Sequence, residues 1–454
     1  MYRSIITIVF TTIILLFSCV YAQENNPDTG LEWNGYLQTD NRVVMHDEGD
    51  FSWQEYRLGL KGEVNPVEKA HFYSEIWLRS FQFSTVQNTA DLQQKNKISP
   101  INLDFREAYM DLYGFINENL DIRIGRQRIA WGTGDKLNPT DNLNSDEMED
   151  IWDFGRHIGS DAITATYYMN NYTLSAVYIP FFLPAVMPEG KWASVLSTAP
   201  ELPSGLILGV SEDSIILPEN NLEESSVAGF KLSSAVFNYD YSFSYVYGRD
   251  DFPVLNNIVF SINADPNRVD ISSRLIYPRI HIAGFDFAGS ITDIGFWGEA
   301  AVFFPEKINA QTDLTDLGMN INESVTMDDE PFIKYVIGLD YTFTNGLYIN
   351  GQYLHGFVHE RGNDALEDYF MFGLEKKFGN DKIKIIPLNG GIEIKNYEDV
   401  EDNIGFIYSP ELYYYPVENA EILLGIRVID GENTTLFGRI RDNDEFYVKL
   451  SYTF

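Results

Sequence analysis

Apolar side chains recur at every second position over most of this chain, which is the period of a half-buried β-strand and not the 3.6 of a helix. Residues 55–64 set Tyr56, Leu58 and Leu60 against Glu55, Arg57 and Lys61. Residues 332–343 set Ile333, Tyr335, Ile337, Leu339, Tyr341 and Phe343 against Lys334, Gly338, Asp340 and Thr342. Residues 420–429 put Ile422, Leu424, Ile426 and Val428 opposite Glu421 and Arg427. The final stretch FYVKLSYTF does the same, with Phe446, Val448, Leu450, Tyr452 and Phe454 in one row.

Eighteen such segments are predicted: 31–45, 51–64, 67–83, 104–115, 119–129, 160–170, 172–180, 224–238, 239–249, 277–290, 292–304, 332–344, 346–358, 367–379, 382–396, 402–415, 418–430 and 443–454. Short connections rich in Gly, Asn, Asp and Pro separate them at 64–66, 116–119, 170–171, 238–240, 291–293, 344–346, 379–381 and 416–419. These residues tolerate tight hairpin geometry. Long polar connections alternate with the short ones, the longest being 84–103, 130–159, 181–223, 250–276 and 305–331. The segment 268–277 alternates as well, and is taken as loop plus strand extension, which keeps the count even.

Period 2 fits a soluble β-domain and a membrane barrel equally. The strict alternation of short and long connections favours the barrel, because a soluble fold has no reason to shorten every other loop. The expectation is an all-β, antiparallel, up-and-down transmembrane barrel of about eighteen strands, with short periplasmic turns and long extracellular loops.

Composition supports export. Residues 1–22 combine Arg3, the apolar run 5–17 and the small residues Val20 and Ala22, the pattern of a cleaved secretory signal. Cys19, the only cysteine, lies within it; LFSC loosely resembles a lipobox, in which Phe17 fits poorly. Residues 23–454 are then one barrel domain. Aromatic residues are 15% of the chain, as interfacial girdles require. Mean hydropathy is -0.19, and no apolar run after residue 22 reaches the 18 or so residues of a membrane helix. The 67 acids outnumber 32 bases, which argues against nucleic acid as a partner, since phosphate needs a basic footprint.

In a barrel with an apolar exterior, the polar rows face the lumen. Arg57, Glu75, Arg79, Glu107, Asp111, Arg123, Lys334, Asp340 and Arg427 are the expected pore-lining residues. A barrel this wide is expected to hold an aqueous channel. Its wall charges would set ion preference, or would pair with one another and stiffen the wall. The loop 181–223 is unusually apolar and is expected to fold inward and narrow the pore through Phe181, Phe182, Trp192, Leu206 and Leu208, with packing at the rim as the alternative. The loop 130–159 carries seven carboxylates, including Asp141, Glu147, Glu149 and Asp150. It is expected as a solvated acidic loop, with calcium binding as the alternative.

Gly125, Arg126, Gln127, Trp131, Gly132, Asn138, Pro139 and Asp141 form a GRQ…WG…NP.D pattern, and YPRIHIAGFDFAG is followed by GFWGEAAVFF. Together they resemble porin-like bacterial outer-membrane proteins, including the alginate-export type and uncharacterised families. The resemblance implies an outer-membrane barrel of a Gram-negative-type bacterium that passes small solutes. It also implies that the terminal Phe454, with Tyr452, is a signal for the barrel-assembly machinery. Outer-membrane lipid, that machinery and a small solute are the expected partners.

The functional expectation is a porin or diffusion channel. The alternatives are a transporter of hydrophobic small molecules and a non-channel surface barrel serving as receptor or anchor. No catalytic, metal or cofactor-binding residue is assigned. His355 and His359 lie four apart, about 13 Å along a strand, too far for one metal. The G-x-S-x-G, HExxH and phosphate-loop motifs do not occur.

Overall fold

A computed structural model describes residues 30–46, 49–81, 83–196, 207–262 and 268–454. The expected signal segment lies outside them. The strands, in chain order, are β1 Leu31–Val44, β2 Phe51–Val67, β3 Ala70–Phe81, β4 Ile101–Leu112, β5 Leu120–Gln127, β6 Ser160–Met169, β7 Tyr172–Ile179, β8 Ile207–Ile216, β9 Val227–Val236, β10 Tyr239–Arg249, β11 Val254–Ile262, β12 Arg268–Ile276, β13 Arg279–Ile291, β14 Ile294–Pro305, β15 Ile308–Asp313, β16 Asn322–Met327, β17 Phe332–Thr342, β18 Leu347–His355, β19 Asp368–Phe378, β20 Ile383–Ile394, β21 Ile404–Tyr408, β22 Glu411–Tyr414, β23 Ala420–Gly431 and β24 Glu445–Thr453.

Nineteen of these segments form one closed antiparallel sheet. The ring runs through β1 to β7, then β9, β10, β13, β14, β17 to β20, the pair β21 and β22, β23 and β24, and returns to β1. β21 and β22 are halves of one strand, since each lies between β20 and β23. Pro410 separates them, and a proline has no N–H to give a ladder. The barrel therefore has eighteen strands, as the alternation predicts.

Closure extends to the chain terminus. Gly35 and Phe454 exchange both backbone hydrogen bonds at 2.9 Å, and Val44 pairs with Glu445 at the other end of the same seam. The ring leaves no strand edge open, which a hydrocarbon environment requires.

The two faces of the wall differ in chemistry. In β17, Phe332, Lys334, Val336 and Gly338 are buried, while Ile333, Ile337 and Leu339 are about half exposed. An apolar outer face around a partly polar interior is the pattern of a membrane-spanning barrel. Short turns join strands at one end. Phe237–Asn238 places two consecutive residues at positive φ, the primed hairpin geometry that matches strand twist; Gly379, Asn380 and Asp381 place three. The turn expected to start at Asn238 starts one residue earlier, because Val236 pairs with Tyr239.

Three long connections at the other end form a second sheet, ordered β16-β15-β11-β12-β8. The segment 268–277, expected as loop plus extension, instead forms β12 and pairs with β11 in a hairpin of this sheet. Val269 and Ile271 alternate with Asp270 there, but they pack on Phe260 and Leu208 and not on the barrel.

Candidate functional site: a loop across the lumen

The connection between β5 and β6 crosses the barrel interior. Its first anchor is local. Asp141 accepts from the Arg128 guanidinium, at 3.1 Å for one contact, and from the Trp131 N–H at 3.3 Å. Asn144 accepts from the Ile129 N–H at 2.6 Å and donates to the Gln127 carbonyl and the Ser160 hydroxyl. The loop is thus folded back onto its own strand ends.

Its acidic half is clasped by arginines of the early strands. Arg42 of β1, 1% exposed, donates to Asp150 at 2.7 Å and to Asp40 at 2.7 and 3.0 Å. Arg79 of β3 pairs with Glu149 at 2.7 Å and with Glu55 at 2.7 Å. Arg106 of β4 donates to Glu147 at 2.6 Å and to the His157 carbonyl at 2.9 Å. Buried carboxylates and guanidiniums are tolerable only when paired in this way.

The other half touches strands from the opposite part of the ring. Glu299 of β14 accepts from the Gly134 N–H at 2.9 Å, the Thr140 N–H at 3.3 Å and the Thr140 hydroxyl. Gln352 of β18 accepts from the Asp135 N–H at 3.0 Å and from Trp297 Nε1 at 3.1 Å. Gly132, at φ 103°, sits where an added Cβ would strike the Glu299 carboxylate. Trp152 lies under the Arg427 guanidinium of β23, 4.7 Å from it. One loop that meets β1, β3, β4, β14, β18 and β23 can only lie inside the ring.

Apolar contacts close the space around it. Leu137, Met148 and Ile151 pack with Val336, Leu354, Tyr369 and Ile429 of the wall and with Phe357, Leu436 and Phe437 from later loops.

The loop expected to narrow the barrel, 181–223, packs against the crossing loop through its first part, with Trp192 and Val195 in the same buried cluster. Residues 183–186 run beside 145–148: Val186 N–H donates to the Asp146 carbonyl and Met148 N–H to the Val186 carbonyl, both at 2.9 Å. Trp192 is 4% exposed and meets Trp152 edge-on at 5.3 Å. Phe181 is half exposed and Phe182 packs on Tyr277. Leu208 belongs to the second sheet, and Leu206 lies outside the described residues. The acidic loop expected in solvent is the one that crosses the lumen. Wall arginines neutralise its carboxylates, which is why it folds inward.

The expected pore-lining side chains all have partners. Arg57 binds Glu55 at 2.8 Å and stacks on Trp77 at 4.2 Å. Glu75 accepts from Trp77 Nε1 at 2.8 Å and from the Tyr73 hydroxyl at 3.0 Å. Glu107 accepts from the Arg128 N–H at 2.5 Å. Asp111 binds Arg123 at 2.7 Å and His71 at 3.1 Å. Lys334 donates to the carbonyls of Phe357 and Val358, Asp340 accepts from the Tyr348 hydroxyl, and Arg427 pairs with Glu445. Of the nine, Arg79 and Arg427 contact the crossing loop through charged or aromatic groups, and Glu107 holds its first residue. Arg42, Arg106, Glu299 and Gln352 are the loop anchors missing from that set.

A proton-sensitive contact joins the crossing loop to its neighbours. The Asp146 N–H donates to the Asp251 carboxylate at 2.8 Å, and His157 lies 3.5 Å from Asp146. Burial pushes the Asp146 carboxyl up to about 7, with Arg361 opposing and Asp141 adding to the rise. Burial, with Asp146 and Asp250 beside it, pushes Asp251 to about 7 as well. Burial lowers the His157 imidazole below its ordinary value, so the ring is neutral in this contact.

No family model and no curated protein matches this chain. Among solved structures it is similar to Salmonella typhi OmpF in complex with daunomycin, at 9% identity and a TM-score of 0.41, over 94% of this chain and 99% of that one. It is likewise similar to OmpT, an outer membrane protein of Vibrio cholerae, at 9% identity and a TM-score of 0.42, over 95% and 99% of the two chains.

Proposed function

We propose that this chain is an outer-membrane, porin-like channel for small solutes, in which residues 128–159 set the narrowest cross-section. One observation carries the reading: a single loop is held on one side by Arg42, Arg79 and Arg106 and on the other by Glu299 and Gln352. A loop anchored at both walls divides a wide lumen into smaller passages, which is what a size-selective channel needs. The role is passage, without a chemical step. Wall charges matter less to selectivity than their number implies, since Arg57, Arg123 and Arg427 each carry a carboxylate partner. The outward row of β24 ends in Tyr452 and Phe454, and in this reading that row is the feature the assembly machinery binds.

The test is a planar bilayer containing the purified protein. Stable conductance steps are expected, and a Glu299→Ala variant should give larger ones because the far anchor of the loop is lost. A correctly folded barrel that stays electrically silent would sink the channel reading.

A further inference from the structure

A cavity of about 310 Å³ lies between the crossing loop and the wall of β14 and β18 to β23. That is the lower end of the range for small-molecule sites, about 300–1,000 Å³. Trp152 and Phe154 of the loop face it from one side, and Trp297, Asn350, Met371 and Asn389 from the wall. Lumen space in a passive pore needs only water and scattered charge. This chamber has indole and phenyl surfaces next to carboxamides.

Its electrostatics are balanced. The charged residues lining it are Asp135, Lys136, Glu411 and Arg427, two of each sign. Arg427 is paired with Glu445. Glu411 accepts from the Tyr413 hydroxyl at 2.7 Å and the Tyr447 hydroxyl at 2.6 Å. Asp135 and Lys136 are neighbours at the loop tip. An ion entering the chamber would lose hydration without gaining a net counter-charge. A neutral solute avoids that cost.

The polar groups point to hydroxyls. A carboxamide both donates and accepts, and so does a hydroxyl, so each amide can serve either role of the other. Trp152 Nε1 is buried with no hydrogen-bond partner among the described residues. Aromatic faces complete the match, because they cover the apolar C–H face of a sugar ring while its edge hydroxyls bond to amides.

We infer that this chamber is a binding subsite for an uncharged saccharide, with Trp152 and Trp297 covering the ring and Asn350 and Asn389 bonding its hydroxyls. The inference rests on the channel reading and gives it a substrate class.

The experiment uses the full chain in detergent and in bilayers. Maltose, glucuronate and phenylalanine are titrated by calorimetry, and block of the ion current is recorded for each. Maltose should bind in the millimolar range and interrupt the current. Glucuronate and phenylalanine should bind about tenfold more weakly, a difference of about 1.4 kcal/mol. Asn389→Ala should weaken maltose by a similar factor, as should Trp152→Phe, which keeps a ring in the apolar cluster but shrinks the aromatic surface facing the chamber. Equal binding of all three solutes, or maltose binding unchanged in both variants, overturns the subsite. Conductance steps with no response to maltose also overturn it and leave the channel standing. Maltose binding to a silent barrel leaves the subsite and removes the channel.

Discussion

The loop between β5 and β6 and the second sheet are built from connections of the same end of the barrel, yet one lies inside and the other outside. The difference lies in what each finds to pair with. The crossing loop carries carboxylates, and the inner wall offers Arg42, Arg79 and Arg106 to meet them. The connections that hold β8, β11, β12, β15 and β16 alternate apolar with polar residues, and they satisfy their backbones with one another. Among the described residues their core is Phe260, Val269 and Ile271 with partly buried neighbours. A long loop enters a lumen when the wall supplies counter-ions for it. It forms its own sheet when its pattern supplies partner strands.

Breaking the clasp should give the largest effect. Arg42→Ala leaves Asp150 buried without its guanidinium, a loss of about 3–5 kcal/mol, while Asp40 keeps Lys449 at 2.9 Å. The expected result is a released loop: larger conductance steps and proteolysis within 128–159 of a barrel that stays closed. A loop still protected in this variant would show that the apolar cluster, and not the ion pairs, holds it.

The matching cut in the second sheet is Ile271→Ala, at about 2–4 kcal/mol for a buried truncation. Its effect should stay local. Amides of β11 and β12 should exchange faster, while conductance keeps its wild-type value. A change in conductance would mean that the sheet gates the lumen after all.

Next in size is the pH response of the contact between the two regions. Asp146 and Asp251 keep their protons to about pH 7 in the folded protein, well above the usual carboxylate range. The folded state therefore binds more protons than the unfolded one between about pH 4 and 7. The contribution of this contact is full below that window and is lost as pH rises through 7. Amide exchange over 145–148, corrected for its intrinsic pH dependence, should be slower at pH 6 than at pH 8. In Asp251→Asn that difference should shrink.

The smallest effect is expected at the exposed rim of the second sheet. Asp270 accepts from the Val210 N–H at 2.7 Å. Asp270→Asn keeps an acceptor there, so the loss should be under about 1 kcal/mol, with no change in thermal unfolding of the barrel.

The strands were legible in the sequence because period 2 is a local signal. Eighteen ring strands follow from it directly. The destination of a strand is not local. Val269 and Ile271 alternate as barrel residues do, and nothing nearby says that Leu208 covers them. The crossing loop was illegible for the same reason: Arg42 and Asp150 are 108 residues apart, and a run of acids viewed alone looks solvated. One signal was present. Two of the stretches that carry the porin-like resemblance, 125–141 and 295–304, touch each other through Thr140 and Glu299. Among the expected constriction residues, Trp192 is buried because its apolar surface meets Trp152 of the crossing loop.

A thin-walled tube is stiff along its axis and soft across it. Pressure on its outer face tends to flatten such a section into an oval. Residues 128–159 connect walls that flattening would move relative to each other, and the ionic clasp and the Glu299 contacts fix both ends. The loop is therefore a cross-tie as well as an obstruction. Cutting it should change the shape of the bore along with its size.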